Sequence, residues 1–441
     1  MSRVLPSERA RFVMLALLLF SNSLVLESNE VIATSGFVSR MGAEQILWVW
    51  AADMLIVILT SGAYSLVVDR TKRERLAIRL FVGLSLVYVA LYLLFLLGAP
   101  DWVSYPLLTV INDQQWLLLP MLIWALANDV FSIAEAKRLF PLLGIAAFAG
   151  GMFGNGLTAG VARWLAPGSR GSVGLLVSNA GLMLLMAIIL VRALRRTKIV
   201  ARQSRREEKV LDTLREGAAF IRDVPAYRYL TLSMILLGVG FNVIEYQLIA
   251  SASQVYSQTA RLEVFYATLR AARIVLMLLV QGVAAGWLLK RLGFKSIFAF
   301  MPTALLAGLL LAFFWPILAG AVVGEYLARI TLEGIDEPSR RAFLGLVPDE
   351  RRGRVSAFLD GYLYPLGSIL SCGLVGATLF AVRQNLLTPR VGRALYFGLA
   401  CACTGIGLWA ITRFRAHYDA SMLNWRLKRR KRVSVLADLD L

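Results

Sequence analysis

The chain has 441 residues, 58% hydrophobic and 17% charged, with a mean hydropathy of +0.66 and a net charge of +19. An ordinary soluble domain is about half apolar or less, so this composition excludes one. His417 is the single histidine and lies in a polar stretch near the C-terminus, which excludes a Ser/His/Asp triad and a histidine metal site. Cys372, Cys401 and Cys403 sit in apolar runs and are odd in number. They read as packing residues, not as a disulfide framework or zinc site, and no metal or cofactor is expected.

The apolar residues fall in runs of about twenty, the length that crosses a hydrocarbon core at about 1.5 Å per residue. Backbone polar groups find no water inside lipid, so such runs must be helical. A basic segment leads into the first span, 12–36, with no small-residue cleavage site, so no cleaved leader is expected. Glu27 and Glu30 lie past the middle of this span, about one turn apart, with Asn29 between them. The second span, 46–68, carries Asp53; the third to sixth follow at 78–98, 106–128, 141–165 and 173–192. Gly150, Gly154, Gly156 and Gly160 in span five give two Gly-xxx-Gly spacings, which point to close helix packing and not to a phosphate loop.

A basic polar stretch, 193–227, divides the chain. Val210, Leu211, Leu214, Ala218 and Ile221 recur there at helical spacing, which predicts a surface helix within a tether. Spans seven to twelve are expected at 228–250, 264–288, 296–315, 318–335, 356–381 and 392–412, followed by a basic tail, 415–441. The fold class is therefore an all-α membrane protein of about twelve spans, in six-helix bundles over 1–192 and 228–414.

Charge placement orients it. The N-terminus, alternate loops and tail on one side hold 37 of the 47 Lys and Arg residues. The opposite loops hold seven: Arg40, Arg163, Arg170, Arg261, Arg383, Arg390 and Arg393. By the positive-inside rule both termini are cytoplasmic, the membrane is the bacterial inner membrane, and the basic charge addresses anionic lipid headgroups, not nucleic acid.

Two segments repeat between the halves. Ser65-Leu-Val-Val-Asp69-Arg70-Thr71-Lys72-Arg73 follows span two, and Gly286-Trp-Leu-Leu-Lys290-Arg291-Leu292-Gly293 follows span eight. Both resemble the major facilitator signature, whose charges grip helix ends at a cytoplasmic gate; Ser65 replaces its Gly, and Lys290 its acid. Charged turns after spans four and ten, Asp129 to Arg138 and Asp336 to Arg341, form a second pair. Both features point to internal duplication.

Glu135-Ala-Lys137-Arg-Leu-Phe-Pro-Leu-Leu-Gly144 resembles the EAKRFYPLFG-type segment of the nucleotide (ATP/ADP) translocase family. Asn242-Val-Ile-Glu245 resembles its N-L-V-E segment, and Asp360-Gly-Tyr-Leu-Tyr-Pro365-Leu-Gly367 its acidic, then P-L-G, stretch. The resemblance implies a twelve-helix fold, alternating access, and a nucleotide or other phosphorylated solute. One departure bears on substrate: Asn29 stands where the family's R-D-T-K-D pattern has lysine. Another follows Gly367, where Ser368 stands in place of a further lysine. Phosphates need cationic partners, and these two are absent.

A charge near the bilayer centre costs at least roughly 2.5–3.5 kcal/mol on insertion scales, so it faces a cavity or a partner. The expected solute site is therefore built from Glu27, Asn29, Glu30, Asp53, Asn242, Glu245, Arg270 and Arg273, on spans one, two, seven and eight. Arg270 and Arg273 serve either as ligands for an anion or as counter-ions to Glu27, Glu30 or Glu245. Glu325 and Arg329, four apart on span ten, are expected to pair with each other. Asp69, Arg70, Glu135, Lys137, Lys290, Arg291 and Asp360 are expected to line the gate. The function read from these features is secondary transport of a small anionic solute by a monomer, driven by an ion gradient or exchange. A non-transporting scaffold or sensor acting through the basic tail is the alternative, and a membrane-embedded enzyme the weakest reading.

Overall fold

The computed structural model describes residues 4–68, 71–165, 172–196, 222, 224–344 and 359–437. The regular elements among the described residues are helices. In chain order they begin with α1 (Pro6–Met41), α2 (Ile46–Val68), α3 (Arg73–Leu96), α4 (Asp101–Val130), α5 (Ile133–Gly160) and α6 (Leu175–Arg196). Next come α7 (Pro225–Val255), α8 (Thr259–Leu279), α9 (Gly286–Ile297), α10 (Phe300–Phe314) and α11 (Leu318–Thr331). The last are α12 (Glu337–Leu344), α13 (Tyr364–Arg383) and α14 (Pro389–Ala437). π-Helical turns at Val280–Ala285 and Leu332–Asp336 continue α8 into α9 and α11 into α12. Among the described residues each of the twelve expected spans overlaps helix; the start of the eleventh, 356–358, lies outside them. The predicted surface helix over 210–221 lies outside the described residues.

Nine helical segments among the described residues are long and apolar enough to cross a membrane. The three expected spans beyond those nine sit on α4, α8 and α11. These are the helices that carry Asp113, the Arg270/Arg273 pair and the Glu325/Arg329 pair. α11 has 14 residues and passes into the π-helical turn Leu332–Asp336.

The chain forms two compact units, Met1–Val210 with Ile249–Leu276, and Leu211–Leu248 with Met277–Leu441. In the N-terminal unit α1 is central and packs on α4, α5 and α6, while α2 packs on α4. Span five supplies the smooth face that this needs. A Cβ at Gly150 would lie 2.0 Å from the Phe20 carbonyl oxygen, and one at Gly154 2.4 Å from that of Leu24. At Gly156 nothing lies within 4 Å, so only the first Gly-xxx-Gly spacing serves α1. A Gly154→Leu variant is expected to force α1 from α5 and to cost about 3 kcal/mol, the upper end for overpacking, because the obstacle is backbone. The readout is the melting temperature in detergent, and an unchanged value would contradict this contact.

α2 is inverted relative to a helix in water. Asp53 is 0% exposed, whereas Trp48 and Leu59 are each 72% exposed. Lipid is the solvent such a helix is built for, with its polar group turned to the bundle interior.

In the C-terminal unit α10 packs on α11 and α14, and α13 on α14. Gly308 and Gly324 allow the first of these contacts: a Cβ on either would lie 2.7 Å from the other's carbonyl oxygen. An aromatic cluster closes one end. Tyr227 stacks on Phe343 at 5.0 Å, and Phe298 meets Phe414 edge-on at 5.5 Å.

Candidate functional site

Two helices of the N-terminal unit bring charged groups together, and two more supply amides to them. From α8, Arg270 donates to Glu30 of α1 at 3.0 Å and lies 3.5 Å from Glu27. Arg273, one turn on, is 3.8 Å from Glu27. Asn155 of α5 donates to Glu27 at 3.0 Å, and Asn112 of α4 donates to Glu30 at 2.8 Å. Both acids thus keep partners without water, which a charge in this position requires.

The arginines are not equally engaged. Arg270 spans two carboxylates, while Arg273 reaches one at ion-pair distance. Its Nε is buried without a hydrogen bond, and only 13% of its side chain is exposed. Two acceptors beside this cluster, Asn112 Oδ1 and Asn155 Oδ1, are also buried without a hydrogen bond. The interior of this unit therefore offers an unused donor and unused acceptors.

Asn29 faces elsewhere. Its Oδ1 accepts from Asn179 of α6 at 2.7 Å, beside a Thr158–Ser28 hydroxyl bond of 2.9 Å. The fully buried Asp53 is acted on by Asp113 and Gln114 of α4 and by Glu30. Gln115 donates to Asn22 at 2.9 Å and accepts from the Tyr88 hydroxyl. Beyond these, Glu263 of α8 is fully buried and accepts from Ser172 N–H at 3.1 Å and its hydroxyl at 3.0 Å.

The C-terminal unit places Asn242 and Glu245 differently. Asn242 donates to Ser368 of α13 at 2.6 Å. Glu245 accepts from Arg329 at 2.7 Å. Arg329 also holds Glu325 at 2.9 Å and Glu333 at 3.3 Å, and its guanidinium lies 4.6 Å from the Phe241 ring centroid. The Glu325–Arg329 pair is thus part of a cluster of three acids about one base. The family's expected lysine position after Gly367 holds Ser368, which here binds Asn242.

Among the expected gate residues, Asp69 and Arg70 lie outside the described residues, and Lys137, Lys290 and Asp360 are placed by backbone alone. Glu135 caps α5, accepting from the Ser132 N–H at 2.7 Å, with Arg11 of α1 at 3.4 Å. The Ser132 backbone bond, helped by Arg11, holds the Glu135 carboxyl below the ordinary carboxylate range. Arg73, at the end of the first signature segment, grips Asp129 through bonds of 2.8 and 3.0 Å. Arg138 bonds Glu8 at 2.5 Å. The second copy differs: Arg291 lies over Trp287 at 5.1 Å, and Lys295 pairs with Asp419.

Residues 101–335, more than half of the chain's 441, match the TLC ATP/ADP transporter family. The chain belongs to that family. The matched stretch of the TLC ATP/ADP transporter runs from α4 into the π-helical turn after α11 and so includes Asn112, Asp113, Asn155, Glu245, Arg270, Arg273 and Arg329. No curated protein matches the sequence. Solved structures share the fold at low identity. The nucleoside transporter NupG matches with a TM-score of 0.65 at 13% identity, covering 92% of this chain and 98% of NupG. A bacterial homologue of the iron transporter ferroportin, inward-facing, gives 0.61 at 14%, covering 91% and 99%. Tetrameric PepTSo2 gives 0.61 at 14%, covering 96% and 99%. The protein is thus a multi-pass membrane transporter by family, with a fold shared with these transporters.

The residues that the sequence analysis missed have a common signal. Asn112, Asp113, Gln114 and Gln115 are four consecutive polar residues inside an otherwise apolar run. Asn155, by contrast, is a lone amide among glycines, and only the fold shows it facing Glu27.

Proposed function

We propose that this member of the family is a proton-coupled secondary transporter of a small solute with one anionic group, such as a nucleoside monophosphate. Arg273 is the ligand for that group. The observation carrying this is the state of Arg273: buried, at ion-pair distance from a single acid, and with a donor unused. A guanidinium in that state exchanges Glu27 for a phosphate or carboxylate at little cost, since a charge-assisted bond replaces a longer contact.

Charge arithmetic limits the solute. Around the N-terminal cluster stand four carboxyl groups, Glu27, Glu30, Asp53 and Asp113, against two arginines. In the other unit three glutamates share Arg329. A triphosphate meets more acids than bases, and Asn29 supplies no charge where the wider family has lysine. We therefore read nucleoside triphosphate exchange as lost here. The charge asymmetry of the loops supports cytoplasmic termini and a bacterial inner-membrane location, and the basic loops supply contacts for anionic lipid.

The test is uptake by proteoliposomes of the purified protein, with radiolabelled adenosine, AMP, ADP, ATP and a sugar phosphate compared. Saturable AMP or sugar-phosphate uptake with negligible ATP uptake is expected. Rapid ATP/ADP exchange, or no uptake of any of the five, overturns the proposal.

A further inference from the structure

The N-terminal unit contains an acid that its ion-pair cluster does not use. Asp53 on α2 is 0% exposed, and neither of its carboxyl oxygens has a hydrogen bond of standard geometry among the described residues. The groups that act on it are the carboxyl of Asp113, the amide of Gln114 and the carboxylate of Glu30; no cation is among them. Glu30 is itself committed, to Asn112 at 2.8 Å, Arg270 at 3.0 Å and Thr34 at 3.4 Å. Asp113 also acts on the buried Tyr88 of α3, which binds Gln115. Arg270 pairs with Glu27 and Glu30, and Arg273 with Glu27.

Asp53 is fully buried and Asp113 half-buried, and two carboxylates acting on each other there do not both stay ionised, because desolvation of Asp53 and mutual repulsion penalise the second charge. A proton held between them removes both penalties, with one carboxyl donating to the other. Asp53 lies seven residues into α2, roughly 10 Å along the helix from its start. Asn112 Oδ1, on the same helix as Asp113, is buried without a hydrogen bond.

We propose that Asp53 and Asp113 together hold one proton and are the coupling site of the transporter. The step is a simple transfer: an external proton enters the pair, travels with the solute, and leaves to the other side, with no other bond made or broken. In the direction of uptake it accompanies the anion and lowers the charge that must cross. This inference rests on the proposed transport function for its coupling role, but the shared proton does not depend on it.

Two measurements separate the parts. Infrared spectra of the purified protein at neutral pH are expected to show a protonated carboxylic acid band that shifts in D2O. That band should disappear in Asp53→Asn and in Asp113→Asn, each of which leaves a lone partner bonded to an amide. Two variants on different helices guard against one failing to fold. Spectra in which neither variant removes a carboxylic acid band overturn the shared proton, whatever is transported. The second measurement is proton flux into liposomes holding a pH dye when AMP is added outside. Wild type is expected to acidify the lumen with AMP entry, and Asp53→Asn to lose at least tenfold of that flux while Asp53→Glu regains part of it. AMP entry without proton flux, or entry driven by a sodium gradient alone, overturns the coupling role. Absence of AMP entry in wild type counts against the transport proposal instead, and the infrared result still decides the pair.

Discussion

Arg329→Met is expected to abolish recovery of folded protein from the membrane. The guanidinium uses all three nitrogens: Nη2 on Glu245 at 2.7 Å, Nε on Glu325 at 2.9 Å and Nη1 on Glu333 at 3.3 Å. It also rests on the Phe241 ring, which adds a cation–π contact. Removing one partner of a buried pair costs about 3–5 kcal/mol, because the remaining charge is stranded. Here three glutamates are stranded at once, on two different helices and a π-helical turn, so the loss lies at or beyond that range. Arg329→Lys keeps the charge but offers no planar fork, and is expected to fall between wild type and Arg329→Met. The check is monodispersity and melting temperature after detergent extraction. Adding Glu245→Gln, Glu325→Gln and Glu333→Gln to Arg329→Met should restore much of the stability, since the stranded charges are then gone. An Arg329→Met protein that extracts and melts like wild type would show that the cluster is not a structural anchor.

The span pattern was legible because it depends on two one-dimensional quantities, the length of apolar runs and the placement of Lys and Arg. Both are set by the bilayer and need no tertiary contact to be read. Pairing is a different matter. Glu27, Glu30 and Glu245 look alike in sequence, each an acid deep in a span, and Arg270 or Arg273 was open to any of them. The fold gives Glu27 and Glu30 to the α8 arginines and Glu245 to Arg329, 84 positions along the chain. No local spacing encodes that choice. Asp113 shows the opposite failure: the polar run from Asn112 to Gln115 was visible, but a run of amides and one acid carries no direction until α2 is placed against α4. The glycines of span five fall between these cases. Their spacing signalled close packing, and the backbone of α1 decides that Gly150 and Gly154 take the contact while Gly156 does not.

The same unequal pairing leads to the sharpest functional contrast, between Arg270→Gln and Arg273→Gln. Arg270 holds Glu30 at 3.0 Å and Glu27 at 3.5 Å, so its loss strands two acids within the membrane and is expected to lower stability by about 3–5 kcal/mol. Glu30→Gln in the same chain should return part of this. Arg273 lies 3.8 Å from Glu27, which keeps Asn155 at 3.0 Å and Arg270 as partners when Arg273 is gone. Its replacement is therefore expected to leave the melting temperature close to wild type. Transport should respond in the reverse sense. A charge-assisted bond to the solute is worth about 1.5–3 kcal/mol, so Arg273→Gln should raise the KM for AMP by about 10- to 100-fold. Arg273→Lys, which keeps a charge without the fork, should recover only part of that. Uptake kinetics and thermal unfolding on the same preparations separate the two residues. A normal KM in Arg273→Gln, with a folded Arg270→Gln that transports poorly, would move the anion ligand from Arg273 to Arg270. The ion pair that looks weakest in the structure would then be the structural one.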